Sequence, residues 1–537
     1  MTAGGPPPPP GPPGPAPGPA SPASPASGGP PWSPPSQPWS PPDWQPGWQP
    51  GWQPGQPDQR PEWLRAQLPP GPPGPQGPLS PVGGPPPPKR PRWPVLAAVL
   101  AVLILVAGAG IAVVAHSGGD EPGTAAGPPA STLAPSTTAA PTAPSAIERR
   151  ITEIERRVAA TRQLKFSRRV PADLLPSAKL EAKWRLLGEV DKDSNAGRLR
   201  SQTRALVLLG ELPAGTDLVK LLREAQAESV LGFYVPGRGP GQGRLYVRSD
   251  GGLTPFAEWV LSHELTHAVT DQHFDLTKGD HLSEQGRDDQ LVAYTALVEG
   301  DATLLMQQYL VTQMDASGQA AVAREGLAQR TPILDRAPAI VRESLGFPYE
   351  AGLAFVQAAY RRGGWAAVDK LYSDPPTSSE QILHPDKYLG QRDAPTQVRV
   401  PDLSGRLGAG WRSGAEGDWG ELDLRLQLAG QLPTANANQA AQGWDGGRLR
   451  VFERGGSTAV VLRTVWDSPA EAAEYCRSTA NWADGLLGPG KGLTGGTGRW
   501  SGHGQQAALV CKGTHAAWLS APDARTLASL QAGLGGP

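Results

Sequence analysis

The chain has 537 residues, enough for about two or three domains, and its 62 Pro and 67 Gly are spread very unevenly. A formal net charge of −1 offers no general basic surface, so no nucleic-acid partner is expected. Cys476 and Cys511 are its only cysteines, too few for a disulfide scaffold or a cysteine-built zinc site.

Residues 1–88 are nearly all Pro, Gly, Ser, Gln and Trp. Such a segment cannot bury enough apolar area to offset the entropy of ordering it, so a disordered tail is predicted. The motif WQPG recurs at 44–47, 48–51 and 52–55. The repeat reads either as plain low-complexity tail or as a polyproline-type ligand for a cytoplasmic partner.

Residues 95–115, "VLAAVLAVLILVAGAGIAVVA", carry no charge. As a helix they would span roughly 31 Å, the thickness of a bilayer core. The long segment before them argues against a cleaved signal peptide. Lys89, Arg90 and Arg92 precede the run, and Asp120 and Glu121 follow it. The positive-inside rule then predicts a single-pass protein of the cell membrane, N-terminus cytoplasmic and the remainder extracytoplasmic. Residues 117–146, rich in Ala, Pro, Ser and Thr, read as a stalk.

Order is predicted from Ile147. Ile147, Ile151, Ile154 and Val158 repeat at helical spacing with charges between them. "VLGFYV" (230–235) and "RLYVRS" (244–249) read as strands around the Gly-rich "PGRGPGQG". Thr254 then caps a helix with Pro255 at its first position. Further helices are expected over Leu291–Met314 and Glu350–Arg361, with a short one following to Tyr372.

The helix after Thr254 carries "HELTH", residues 263–267. His263 and His267, four apart, project from one helix face and can share a divalent ion. Glu264 is rotated about 100° from His263, placed to take a proton from a metal-bound water. Zn²⁺ is the expected cofactor. Three residues compete for the third ligand. His273 has the spacing of H-E-x-x-H-x-x-G-x-x-H, but Thr270 stands where that pattern needs a glycine. Glu284 lies in a polar, looping stretch. Glu299 sits in the apolar helical segment "YTALVEGDATLLMQQY", where a carboxylate is costly unless paired or bound to metal. Glu299 is therefore preferred. Gly300 beside it suggests close packing on the 263–267 helix, and Asp301 a partner for a histidine N–H. His384, followed by Pro385 and four residues before Tyr388, reads as a transition-state donor or as a capping and packing histidine.

From 440 the pattern changes. "RLRVFER" with "TAVVLRTVW", and "QAALVCKG" with "HAAWLSA", read as two hairpins. Between them "SPAEAAEYCRSTANWADGL" reads as a helix capped by Ser468. Cys476 on that helix and Cys511 on a strand form either a disulfide or two buried thiols.

"HELTHAVTD" resembles the active-site helix of the thermolysin-type zinc peptidases, and a glutamate from the next helix is the gluzincin arrangement. Glu299 follows His267 by 32 residues, a longer gap than thermolysin has. The wider set "VLGFYV", "RLYV", "VLSHELTHAVTDQHFDL", "ALVEGDAT", "SSEQILHPDKY", "GWDGGRLRVF" and "VWDSPAEAAEY" resembles a group of bacterial membrane-anchored or secreted neutral zinc metallopeptidases, over about 147–520. The resemblance implies an α+β fold. A zincin-like, mainly helical catalytic domain with a small edge-strand sheet would occupy 147–400, and a small α+β module 440–537. It implies a zinc endopeptidase acting on protein or peptide substrates. A catalytically silent cell-envelope binding or scaffold protein, and a zinc amidase acting on cell wall, are the alternatives.

Overall fold

The computed structural model describes residues 145–187, 195–227, 231–237, 239–329 and 331–537. The predicted tail, the apolar run 95–115 and nearly all of the stalk lie outside the described residues. Among the described residues, no helix is long and apolar enough to cross a membrane. The fold is α+β, with helices dominant before residue 408 and a large sheet after it.

Helix α1 (Ala146–Arg162) begins where the amphipathic pattern begins. The Ser145 hydroxyl accepts the Glu148 N–H, and the Glu148 carboxylate accepts the Ser145 N–H. Ile151, Ile154 and Val158 are buried on one face. Strands β1 (Ala172–Leu175), β2 (Gly232–Val235) and β3 (Arg244–Arg248) form a sheet in the order β1-β3-β2. β3 runs parallel to β1 and antiparallel to β2, and β2 forms the sheet edge nearer the metal-motif helix.

Helix α2 (Pro255–Phe274) carries the 263–267 motif, and the Thr254 hydroxyl accepts the Ala257 N–H at its start. It is buried on nearly all sides, which explains why its sequence lacks one apolar stripe. Helix α3 (Asp288–Gln313) packs against α2 and against α4 (Ala339–Ser373). Gly363 and Gly364 leave helical geometry inside α4, which accounts for the two helices read from the sequence there. α4 begins well before the expected Glu350 and carries Pro348 in its interior.

Gly300 has a different partner from the one expected. A Cβ there would lie 2.3 Å from the Gly352 carbonyl oxygen, and one on Gly352 would lie 2.1 Å from that of Ala296. The two glycines therefore mark the crossing of α3 with α4, not with α2.

Helix α5 (Ser379–Leu383) leads towards the sheet β4 (Arg412–Asp418), β5 (Trp444–Arg454), β6 (Ser457–Trp466), β7 (Lys491–Thr494), β8 (Thr497–Gly502), β9 (Gln505–Lys512) and β10 (His515–Ala521). Its order is β4-β5-β6-β10-β9-β8-β7, antiparallel throughout. The two expected hairpins are β5–β6 and β9–β10. The sheet starts before the expected 440, because β4 belongs to it. "RSGAEGD" has no apolar alternation, so nothing in its pattern marks it as a strand. Helices α6 (Glu421–Ala429) and α7 (Pro469–Leu487) share one apolar cluster with the sheet, and α8 (Ala524–Leu534) shares another. Val460 and Val461, adjacent on β6, fall in different clusters, as a period of two requires. Cys476 on α7 and Cys511 on β9 are joined as a disulfide.

Candidate metal centre

The i,i+4 spacing on α2 brings His263 Nε2 and His267 Nε2 to 3.0 Å from each other. Glu299 enters from the middle of α3. Its Oε2 lies 3.0 Å from His263 Nε2 and 3.4 Å from His267 Nε2. Ligands about 2.1 Å from a tetrahedral ion stand about 3.4 Å apart, so these three atoms fit one face of a zinc shell. One other acidic or histidine cluster among the described residues is close enough to hold a metal, Glu380 with Asp393 and Asp467. There the Lys387 ammonium already sits 2.5, 2.9 and 2.8 Å from the three carboxylates.

The centre is enclosed: His263, Glu264, His267 and Glu299 are each at most 2% exposed. Burial pushes Glu299 up, but His267 and His263 outweigh it and hold its pKa at about 2. Burial and the neighbouring ring of His267 lower His263. Burial is outweighed at His267, which Glu299 raises. The Nδ1 atoms of both histidines and Oε1 of Glu299 have no hydrogen-bond partner.

Glu264 faces β2. Its Oε2 accepts the Tyr234 N–H at 2.9 Å, and its Oε1 has no partner. Burial pushes its pKa up to about 8, against the pull of His267 and of the Tyr234 N–H. Tyr234 is held at its other end as well, its hydroxyl donating to Asp271 Oδ2 at 2.6 Å. Asp271 also accepts the N–H groups of Gly241 and Leu276. It therefore fastens the Gly-rich loop and β2 to α2, and orients neither histidine.

Tyr349 of α4 is a neighbour the sequence did not disclose. Its ring centroid is 6.1 Å from that of His263, and its buried hydroxyl lies beside Glu299 without hydrogen-bond geometry. Burial, with the charges of Glu299 and Glu264, raises its pKa far above the usual phenol range. No motif or spacing flags "FPYEAG"; only the packing of α4 on α3 brings the residue in.

Two assigned residues have other roles. Asp301 accepts from Arg162 Nε at 2.8 Å and Nη2 at 3.1 Å, and from the Tyr372 hydroxyl at 2.8 Å, and bonds to no histidine N–H. It lies two residues from Glu299, where a helix turns by about 200° and presents the other face. His384 lies between α5 and the sheet. Its Nε2 is 3.1 Å from Glu421 Oε1 and 3.2 Å from Arg425 Nη2, so it packs at the joint with α6. The Tyr388 hydroxyl donates to the Asp374 carbonyl. Among the rival third ligands, His273 Nε2 is 2.9 Å from the Lys165 carbonyl oxygen, and Glu284 ends the short helix Lys278–Glu284.

Residues 408–531 match the family model of a domain of unknown function (DUF8575), which spans the seven-stranded sheet and leaves the metal centre outside. No curated protein matches the chain. Among solved structures it is similar to one titled "Crystal structure of a putative hydrolase with a novel fold from Chloroflexus aurantiacus". Identity to that chain is 21% over 46% of this chain and 88% of the other, with a TM-score of 0.31.

Proposed function

We propose that the protein is a zinc-dependent hydrolase, specifically a membrane-anchored endopeptidase whose catalytic part is extracytoplasmic. The observation that carries this reading is the convergence of His263 Nε2, His267 Nε2 and Glu299 Oε2 within 3.0–3.4 Å, beside a glutamate with one unpaired oxygen. His263, His267 and Glu299 would hold the zinc. Bound there, zinc supplies Lewis acidity and lowers the pKa of a water to about 7. Glu264 takes the proton on Oε1 and returns it to the leaving nitrogen, while the Tyr234 N–H fixes Oε2. Tyr349, whose ring lies 6.1 Å from that of His263 and whose hydroxyl lies beside Glu299, replaces His384 in this reading as the donor to charge that develops on the substrate oxygen.

The substrate class is a protein or peptide. The Cys476–Cys511 disulfide supports an oxidising, extracytoplasmic location, and the basic residues before the apolar run support the same orientation. One observation favours the second reading, a non-catalytic envelope binding protein. The enclosed centre admits substrate only after the elements over it move.

The test is a peptidase assay on the full-length chain in detergent, wild type beside Glu264→Gln, each with its zinc quantified. Zinc in both with cleavage of an unstructured protein only by the wild type supports the enzyme. Zinc in both and cleavage by neither turns the reading to the binding protein.

A further inference from the structure

His263, His267 and Glu299 cover one face of a tetrahedral ion and leave its fourth position to another donor. Tyr349 is 1% exposed, and its ring lies beside that of His263. Its hydroxyl lies beside Glu299, and the charge of Glu264 acts on it as well. That hydroxyl has no hydrogen-bond partner. A buried tyrosine hydroxyl usually finds one. An ion held by the three candidate ligands would supply it.

Tyr349 also stands next to a weak point of α4. Pro348 has no N–H, so the Ser344 carbonyl loses its helical partner. Gly346 is buried, yet a Cβ there would meet nothing nearer than Glu350 Oε1 at 3.8 Å. Close packing therefore does not call for this glycine, which loosens a helix relative to alanine. The apolar contacts of α4 change hands across the same stretch. Val341 packs with Leu218, Ala225, Leu334 and Ala337, in a cluster separate from the main core. Phe347, Phe355 and Val356 belong to the main core, with α2 and α3. The start of α4 is thus free to shift with its own cluster while α3 and the rest of α4 stay packed.

We infer that Tyr349 is the fourth ligand of the closed centre. Its hydroxyl oxygen completes the shell of His263, His267 and Glu299 and keeps the site latent until α4 yields over 344–348 and withdraws the side chain. Once displaced, the same hydroxyl is free to act as the donor to the substrate oxygen. The inference rests on the zinc-hydrolase reading above.

The experiment replaces zinc by Cu²⁺ in the full-length chain in detergent and records the visible spectrum. A tyrosine oxygen on Cu²⁺ gives an intense charge-transfer band that imidazole and carboxylate ligands do not. The wild type is expected to hold about one Cu²⁺ per chain and to show the band, and Tyr349→Phe to hold the ion without it. Should Tyr349→Phe fail to fold, resonance Raman excited in the wild-type band reads tyrosine ring modes directly, and their absence overturns the inference. Gly346→Ala stiffens α4 and is expected to keep the band and to slow release of the ion to a chelator by about fivefold. Release that is unchanged or faster overturns the yielding of α4. Bound ion without the band in the wild type, or a band that Tyr349→Phe keeps, overturns the inference and leaves the hydrolase reading standing. A chain that holds no metal overturns both.

Discussion

Tyr234 is bonded to α2 at both ends, its backbone N–H to the Glu264 carboxylate at 2.9 Å and its hydroxyl to Asp271 at 2.6 Å. Strand β2 is therefore laid along the helix that carries the metal motif, and the position of the proposed base depends on that strand. Tyr234→Phe removes the second bond and leaves Asp271 Oδ2 with the Gly241 N–H alone. A loss of about 1–3 kcal/mol is expected, measured by urea unfolding, with zinc content unchanged. A change of only a few tenths would show that the hydroxyl does not hold the strand.

Arg162 and Asp301 form a buried pair, both fully inaccessible, with Asp369 2.7 Å from the same guanidinium and Trp365 stacked 4.4 Å from it. They tie α1 to α3 two residues from Glu299. Arg162→Met leaves the Asp301 charge buried without its cation, a change expected to cost about 3–5 kcal/mol. Zinc affinity should fall with it, because the turn that carries Glu299 loses its anchor. A loss below about 1 kcal/mol in chemical denaturation would contradict the buried-pair assignment.

Much of this was legible along the chain and some was not. The α2 start, its cap and its two histidines follow from local chemistry at Thr254, Pro255 and the i,i+4 spacing. Glu299 stood out because an acid in an apolar helix needs a partner. What failed depended on distant segments. Asp301 meets Arg162, which lies 139 residues earlier, and Gly300 meets Gly352 rather than α2. His384 reads along the chain either as a donor or as a packing histidine, and only its place beside Glu421 decides for packing. Helix spacing says which residues share a face; it does not say which neighbour that face meets.

The α3–α4 crossing gives a further check. Gly300→Ala would drive a methyl group against backbone, 2.3 Å from the Gly352 carbonyl oxygen, which cannot swing aside as a side chain can. Overpacking of this kind costs about 1–3 kcal/mol, and a lower Tm is expected despite alanine's better helix propensity. An unchanged or raised Tm would place the crossing elsewhere.

Burial pushes the Asp289 carboxyl up to about 8, with Asp423 and Asp418 adding to it against the Ser379 hydrogen bonds. In the unfolded chain an aspartate loses its proton near pH 3.9 (approximately). Between those values the folded state holds the extra proton. Stability should therefore fall as pH rises from about 4 to about 8 and level off above. Asp423, pushed up to about 7 by burial, adds a slope of the same sign. Urea midpoints across this range should show a shallower decline in Asp289→Asn than in the wild type. Equal slopes would mean that Asp289 is ionised in the folded chain at neutral pH.

The metal assignment is tested most directly by zinc content and X-ray absorption on the full-length chain, wild type beside His267→Ala and Glu299→Ala. About one zinc per chain, with imidazole nitrogen and carboxylate oxygen at about 2.0–2.2 Å, is expected of the wild type, and a large loss of affinity in each variant. Undiminished zinc in both variants, or sulfur at the metal, would contradict the centre formed by His263, His267 and Glu299.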